Sequence, residues 1–290
     1  MPIARPTRWF LALAAALALT GFMGAAGGAA RAAVPVEEDS SEAQIMGYYA
    51  SAIAFTPLGR QGGRVIEVGI DLGYLPSLSE EDRETTFAGA KVENTNFTSV
   101  LPRARVRFTA APGWLVEAGV FPSVQARGVT PEQYTAAVSA KLFGDEKVRS
   151  YWLRGHYLAA DIVGPITCDE DAVEDPNNRV CYLGQPSEDH FKPTTYGLEF
   201  VIDGQAFLDQ GLRWYAAGGL ERQALDFQTY FINGFGRLDD QELIARVNRL
   251  TLAGGLTWSA DPGVVVAIEM SYVPDALATV RLGIRWGWKR

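Results

Sequence analysis

From residue 64 onward the chain repeats short blocks in which every second residue is apolar. In "ATVRLGIRWGWKR", residues 278–290, Val280, Leu282, Ile284, Trp286 and Trp288 share one parity, and Arg281, Gly283, Arg285 and Gly287 share the other. A period of two belongs to a β-strand, whose successive side chains point to opposite faces. The alternation also runs through "RVIEVGIDLGY" (64–74), "RARVRFTAA" (103–111), "WLVEAGVFP" (114–122), "TAAVSAKLF" (135–143) and "SYWLRGHYLAA" (150–160). It continues through "TTYGLEFVID" (194–203), "LRWYAAGGLER" (212–222), "RLTLAGGLTW" (249–258) and "GVVVAIEMSYV" (263–273). The pattern predicts ten strands, with eight or twelve as alternatives, each of about ten residues, the length that crosses a bilayer at a tilt.

The other face of these strands decides the fold class. The apolar face carries charge only at strand ends, as at Arg64 and Arg222. The opposite face collects Arg103, Arg105, Arg107, Lys141, Arg154, Arg213, Arg249, Arg281 and Arg285, together with Glu67, Asp71, Glu117, Glu199, Asp203, Glu221 and Glu269. A soluble barrel needs the reverse polarity, with its apolar face inside. Charges can line an interior only by neutralising one another or meeting water. The expectation is therefore an all-β, antiparallel up-and-down transmembrane β-barrel with lipid outside and an ionic lumen.

Two further patterns agree. Connections 75–102, 123–133, 161–193 and 223–248 are long, 112–113, 144–149, 204–211 and 259–262 are short, and only 274–277 breaks the order. Outer-membrane barrels have short periplasmic turns and long extracellular loops. With that orientation Trp114, Trp214, Trp258, Trp286 and Trp288 fall at the short-turn rim, while Tyr74, Tyr157, Tyr196 and Tyr272 fall toward the long-loop rim. Indole and phenol rings favour the membrane interface, where one end is apolar and the other wet.

Upstream, "MPIARPTRWFLALAAALALTGFMGAAGGAARAAVPVEED" has the form of a secretory signal: Arg5 and Arg8, an apolar run from Trp9 to Leu19, then small residues ending in Ala30-Arg31-Ala32. The apolar run is too short to span as a helix, which takes about 20 residues. Cleavage is expected near Ala32. The domain reading is thus 1–32 signal peptide, 33–63 N-terminal segment and 64–290 barrel.

On these residues and on the closing "VRLGIRWGW", the chain resembles the bacterial outer-membrane β-barrel proteins over residues 64–288. The resemblance implies the outer membrane as location, its lipid as neighbour, and the barrel assembly machinery as a partner that reads the aromatic end of the last strand. Lys289 and Arg290, which follow Trp288, depart from that ending.

Composition narrows the function classes. The chain carries a formal charge of −8, and loss of Arg5, Arg8 and Arg31 with the signal makes it more acidic still, which argues against nucleic acid as a partner. The two cysteines, Cys168 and Cys181, flank "DEDAVEDPNNRV". In an exported protein they are expected to form a disulfide. The alternative, a calcium loop built on Asp169, Asp171, Glu174 and Asp175, lacks the central Gly and terminal Glu of that motif. No cofactor or metal site is expected.

The expected lumen is a salt-bridged plug of side chains, giving a structural or binding role; the alternative is a narrow channel or transporter for small or hydrophobic solutes, in the channel case with Arg103, Arg105 and Arg107 lining an anion path. "SSEAQIMGYYASAIAFTPLG" (40–59) reads as a short helix capped by Ser41, with Ile45, Tyr49, Ala52 and Ile53 on one face, or equally as an extra strand. Its placement as a hatch in or under the barrel is an alternative that so charged a lumen disfavours. An outer-membrane hydrolase using His190 with Asp189 is a weaker alternative; His156 is expected to point inward.

Overall fold

The computed structural model describes residues 33–59, 65–79, 81–85, 91–92, 99–123, 125, 128–206, 211–259, 263–274 and 276–288. The signal reading falls on residues 1–32, outside the described residues.

Ten antiparallel strands close into a barrel. They are β1 (Ile66–Tyr74), β2 (Val100–Ala111), β3 (Trp114–Phe121), β4 (Thr130–Asp145), β5 (Arg149–Gly164), β6 (Asp189–Gln205), β7 (Leu212–Gln228), β8 (Glu242–Ser259), β9 (Val264–Val273) and β10 (Leu277–Trp288). Each strand pairs with its neighbour in sequence, and β10 returns to β1 in a ladder from Trp288↔Ile66 to Arg281↔Gly73. Closure leaves no sheet edge along the wall that faces lipid, which a membrane barrel requires.

Along the wall, Ile66, Ile70, Leu198, Leu252, Leu282 and Ile284 stand exposed on the outside, and the interleaved Glu67, Asp71, Glu199, Thr251, Arg281 and Arg285 are buried inside. The lipid-facing polarity read from the alternation is the one the barrel has. Pro112 and Gly113, with Gly113 at φ 79, make the tightest of the short turns, as a left-handed position needs glycine.

The strands are not of one length. β4 and β5 have 16 residues each, β6 and β7 have 17, and β8 has 18. β1, β3 and β9 have 9, 8 and 10. About ten residues cross a bilayer, so the wall from β4 to β8 rises past the membrane at the loop end. There the polarity inverts. On β6 the outer face runs Phe200, Leu198, Tyr196 and then Thr194, Lys192, His190, while the inner face changes from Glu199 to Phe191. Water replaces lipid beyond the tyrosine level, so the outside becomes polar and the inside apolar.

That apolar upper interior is occupied. Helix α1 (Ser41–Ala52) lies within the wall, and Ala43, Met46, Tyr48, Tyr49, Ala50 and Ile53 pack with Leu158, Ile162, Phe191, Leu225, Ala245 and Val247. The segment is helical, not an extra strand, and its cap is Ser40, not Ser41: the Ser40 hydroxyl accepts from the Ala43 N–H at 3.2 Å. Before it, Ala33–Pro35 pairs in parallel with Glu242–Ile244 at the loop end of β8. The chain therefore enters at the loop end, descends the lumen as α1, and reaches the turn end near residue 59 before β1 begins.

Candidate functional site: the barrel lumen

Alternation turns Arg103, Arg105 and Arg107 of β2 inward, and register sets acids beside them: Asp71 opposite Arg103, Glu67 opposite Arg107, and Arg107 opposite Glu117 on β3. Glu117 is the shared anion. Its carboxylate lies 3.2 Å from Arg105 Nη1, 3.1 Å from Arg107 Nε and 3.2 Å from Arg154 Nε. Asp71 is 2.8 Å from Arg105 Nε, and Glu67 is 3.5 Å from Arg107 and 3.7 Å from Arg285.

The network continues around the wall. Arg154 Nη1 donates to Glu199 at 2.6 Å, and His156 sits between Glu199 and Glu221, at 3.6 and 3.1 Å. Glu269 lies 3.6 Å from Arg281 and accepts from the Tyr215 hydroxyl at 2.9 Å. Near the turn end Arg213 pairs with Asp203 at 2.8 Å, and Asp203 also accepts from Ser150 at 2.9 Å. Buried charges are costly to desolvate and persist where each is paired and hydrogen-bonded.

The lumen is not filled by these side chains alone. Below α1, residues 53–59 run through the arginines and supply neutral acceptors. Arg103 donates to the carbonyls of Ile53 and, at 3.1 Å, Ala54; Arg105 donates to Thr56 and Pro57 at 3.1 and 3.0 Å; Arg281 donates to Ala52 at 3.1 Å. Carbonyls 52–54 lie at the helix C-terminus, where unpaired oxygens carry partial negative charge and favour cations. Phe55 is the hub: the guanidinium carbons of Arg105, Arg154 and Arg103 stand 4.4, 5.0 and 5.5 Å from its ring centroid. Such contacts gain strength when both partners are dry.

The segment is tied down at its exit. Leu58 N–H donates to Glu269 at 2.8 Å, and Thr56 bridges Glu269 and Arg281. Gly59 has φ 110, and a Cβ there would fall 2.4 Å from Arg285 Nη2. Gly47 serves similarly in α1, where a Cβ would sit 3.2 Å from Arg249 Nη2.

This overturns the picture of a plug made of wall side chains: the plug is the N-terminal segment, and the wall charges grip it. The charge argument against a hatch failed because it considered only the lower lumen, whereas the upper lumen is apolar. Phe55, Thr56, Gln133 and Tyr215 are the residues that sequence reading did not single out. The apolar "AIAFTPLG" (52–59) was the available signal.

Other candidates fall elsewhere. Lys141 keeps the inward parity, opposite the buried Trp152, but stands at the turn end of the lumen just before a register shift, where it pairs with Glu146 at 3.3 Å rather than with the central network. Arg249, opposite Glu221 in register, is half-buried beside α1. His190 does not use Asp189. The Asp189 side chain is buried and accepts from Thr167 N–H, Ser187 and Tyr230 N–H, holding the β5–β6 and β7–β8 loops together. His190 lies instead on the outer wall, 3.0 Å from Asp161.

The Cys168–Cys181 disulfide is formed, with Cα atoms 5.5 Å apart, and is buried against Phe231. With a separation of 13 residues it closes a loop whose cross-link is worth about 3 kcal/mol on chain-entropy grounds. Trp114, Trp258, Trp286 and Trp288 stand on the outer wall at the turn end, and Tyr74, Tyr157, Tyr196 and Tyr272 nearer the loop end. Trp214 is half-covered, its ring 5.6 Å from the Arg149 guanidinium. Among the described residues no three His, Cys, Asp or Glu side chains converge as a metal site.

No protein-family model matches the sequence, and no curated protein matches it. Among solved structures the chain is similar to the translocator domain of the autotransporter NalP from Neisseria meningitidis, at 9% identity over 86% of this chain and 96% of that one, with a TM-score of 0.43. It is similar to the Pseudomonas putida toluene transporter TodX at 12% identity, over 80% and 68% of the two chains, with a TM-score of 0.34. It is also similar to Ail, the attachment invasion locus protein of Yersinia pestis, at 9% identity, over 77% and 95%, with a TM-score of 0.25. All three are bacterial outer-membrane β-barrels; this chain is a closed β-barrel with an apolar outer wall and an ionic lumen. Likeness at this level carries no ligand or activity across.

Proposed function

We propose that this bacterial outer-membrane β-barrel is a closed one, a structural and binding protein of the outer membrane whose lumen is shut by its own N-terminal segment. The observation that carries this reading is the seating of Phe55 among Arg103, Arg105 and Arg154, with the flanking carbonyls hydrogen-bonded to the same arginines. An anion path along those arginines would need their charges free, and they are spent on Glu117, Asp71, Glu199 and the plug. In this reading the leader is removed near Ala32, the short turns face the periplasm, and the long loops, braced by the disulfide and Asp189, face outward as the binding surface. A hydrolase finds no support at His190, whose partner Asp161 lies beside it on the outer wall.

Planar-bilayer recording tests the proposal. The purified full chain is expected to give no steady current between −100 and +100 mV, a range on the order of physiological membrane potentials. A sustained anion-selective conductance would replace the closed barrel with the channel alternative.

A further inference from the structure

We infer that the loop end of the barrel holds a binding site for a small, neutral, apolar molecule of the size of naphthalene or a substituted benzene. A cavity of about 220 Å³ lies between the plug and the wall, with Tyr49 and Ile53 on its inner side and Pro102, Phe121, Pro131 and Ile162 among its outer walls. An apolar cavity of roughly 150 Å³ stays dry and takes up benzene. The volume here suits a somewhat larger guest.

The wall is built to leave this space. β3 stops at Phe121, and its ladder with β2 ends at Ala104↔Val120. The first residues of β2, Val100–Arg103, therefore pair only with β1 among the described residues. Pro102 and Pro131 stand at the start of β2 and β4, where a residue without an N–H fits an unpaired edge. The result is a notch in the wall at the loop end, directly over the plug.

The lining sets the chemistry. Among the described residues no charged side chain lines it. Besides the Tyr49 hydroxyl, the polar group is Gln133, whose amide already donates to the Ile53 carbonyl at 3.0 Å and whose oxygen accepts from Arg103 at 3.5 Å. An ion or a sugar would lose its hydration there without compensation. An apolar guest loses nothing.

The position sets the source. Pro131 and Gln133 precede Tyr134, and Ala160 and Ile162 follow Tyr157, on the loop side of those rings, while Leu101 and Pro102 stand opposite Gly73 and Leu72, just below Tyr74, so the site lies at the level of the outward-facing tyrosines. Rings of this kind mark the interface. The cavity therefore sits at the interface level of the loop end, where a solute arriving from the aqueous side reaches it. The inference rests on the plugged barrel, since Tyr49 and Ile53 form its inner side; conductance judges the plug, and binding judges the site.

The test is an equilibrium titration of radiolabelled naphthalene against the full chain in lipid nanodiscs, with protein-free nanodiscs subtracted. A single saturable site is expected, with a dissociation constant on the order of 10–100 μM for a guest of about ten heavy atoms. Ala160→Trp fills the cavity and is expected to weaken binding at least tenfold. Ala216→Trp, on the lipid face of β7, is expected to bind as the parent does. Heat-modified gel mobility confirms that both variants form barrels. Absence of a saturable excess, or an unchanged isotherm for folded Ala160→Trp, overturns the site. Competitive displacement by a short dioctanoyl phospholipid would identify a lipid tail as the occupant and overturn it equally.

Discussion

Glu117→Gln is expected to destabilise the barrel by about 3–5 kcal/mol, the cost of removing one partner from a buried ionic cluster. Glu117 is fully enclosed, and Arg105, Arg107 and Arg154 all approach its carboxylate within 3.2 Å. Glutamine keeps the shape, so no cavity opens; what is lost is the charge holding three cations together. The guanidiniums cannot swing into water, because all three side chains are buried and Phe55 lies over Arg105 and Arg154. Urea unfolding in detergent micelles, followed by tryptophan fluorescence, measures the effect. Arg246→Gln is the comparison: its ion pair with Asp226 is as short, 2.8 Å, but both side chains are about two-fifths exposed. There a loss of about 0–1 kcal/mol is expected. Equal losses at the two sites would show that the lumen is wet and that its charges do not depend on one another.

A cysteine at Val34 is expected to react with a membrane-impermeant maleimide on intact cells. Three observations lead there. Ala33–Pro35 runs parallel to the start of β8, so it lies at the loop end. α1 then occupies the lumen, and Val65 N–H meets the Trp288 carbonyl at the opposite rim. The segment before β1 has thus crossed the barrel from the loop end to the turn end. If long loops face outward, residue 34 is outside the cell. The native cysteines are joined to each other, so Val34→Cys supplies the one free thiol. Labelling comparable to that of Phe235→Cys, at a loop tip that is 86% exposed, is expected, and none at Lys147→Cys in a short turn. Labelling of Val34→Cys only after permeabilisation would reverse the threading or the orientation.

The wall was legible in the sequence, and its contents were only half so. Alternation identified the strands because the membrane imposes one rule on each face: Ile66, Ile70 and Ile284 out, Glu67, Asp71 and Arg285 in. Register was legible by implication, since Arg107 needs anions and finds Glu67 and Glu117 directly across. Past the bilayer that rule no longer holds. The upper parts of β5 to β8 carry Asp161, His190, Asp226 and Arg246 outside and Ile162, Phe191, Leu225 and Ala245 inside. A reading tuned to lipid outside takes these stretches for loops. The same shift hid the plug. α1 is buried around most of its circumference, so the one face of Ile45, Tyr49, Ala52 and Ile53 that suggested a helix did not reveal how fully it is enclosed. Its partners are apolar residues that the charged-lumen reading had not counted. The disulfide was legible because two cysteines in an exported chain leave one pairing; the role of Asp189 as a brace between loops was not, because its donors come from Thr167, Ser187 and Tyr230, far apart in sequence.

Everything above depends on which medium touches each face of the strands, and nitroxide accessibility along β1 and β10 reads that directly. Spin labels on single-cysteine variants at Ile66, Glu67, Val68, Gly69, Ile70 and Asp71, and at Arg281, Leu282, Gly283 and Ile284, are measured in lipid vesicles for collision with oxygen and with a water-soluble nickel chelate. The even-numbered positions are expected to favour oxygen, as lipid-exposed sites do, and the odd ones to be shielded from both reagents within the packed lumen. High oxygen access at Asp71 and Arg281 with Ile70 and Ile284 shielded would turn the barrel inside out and contradict the account.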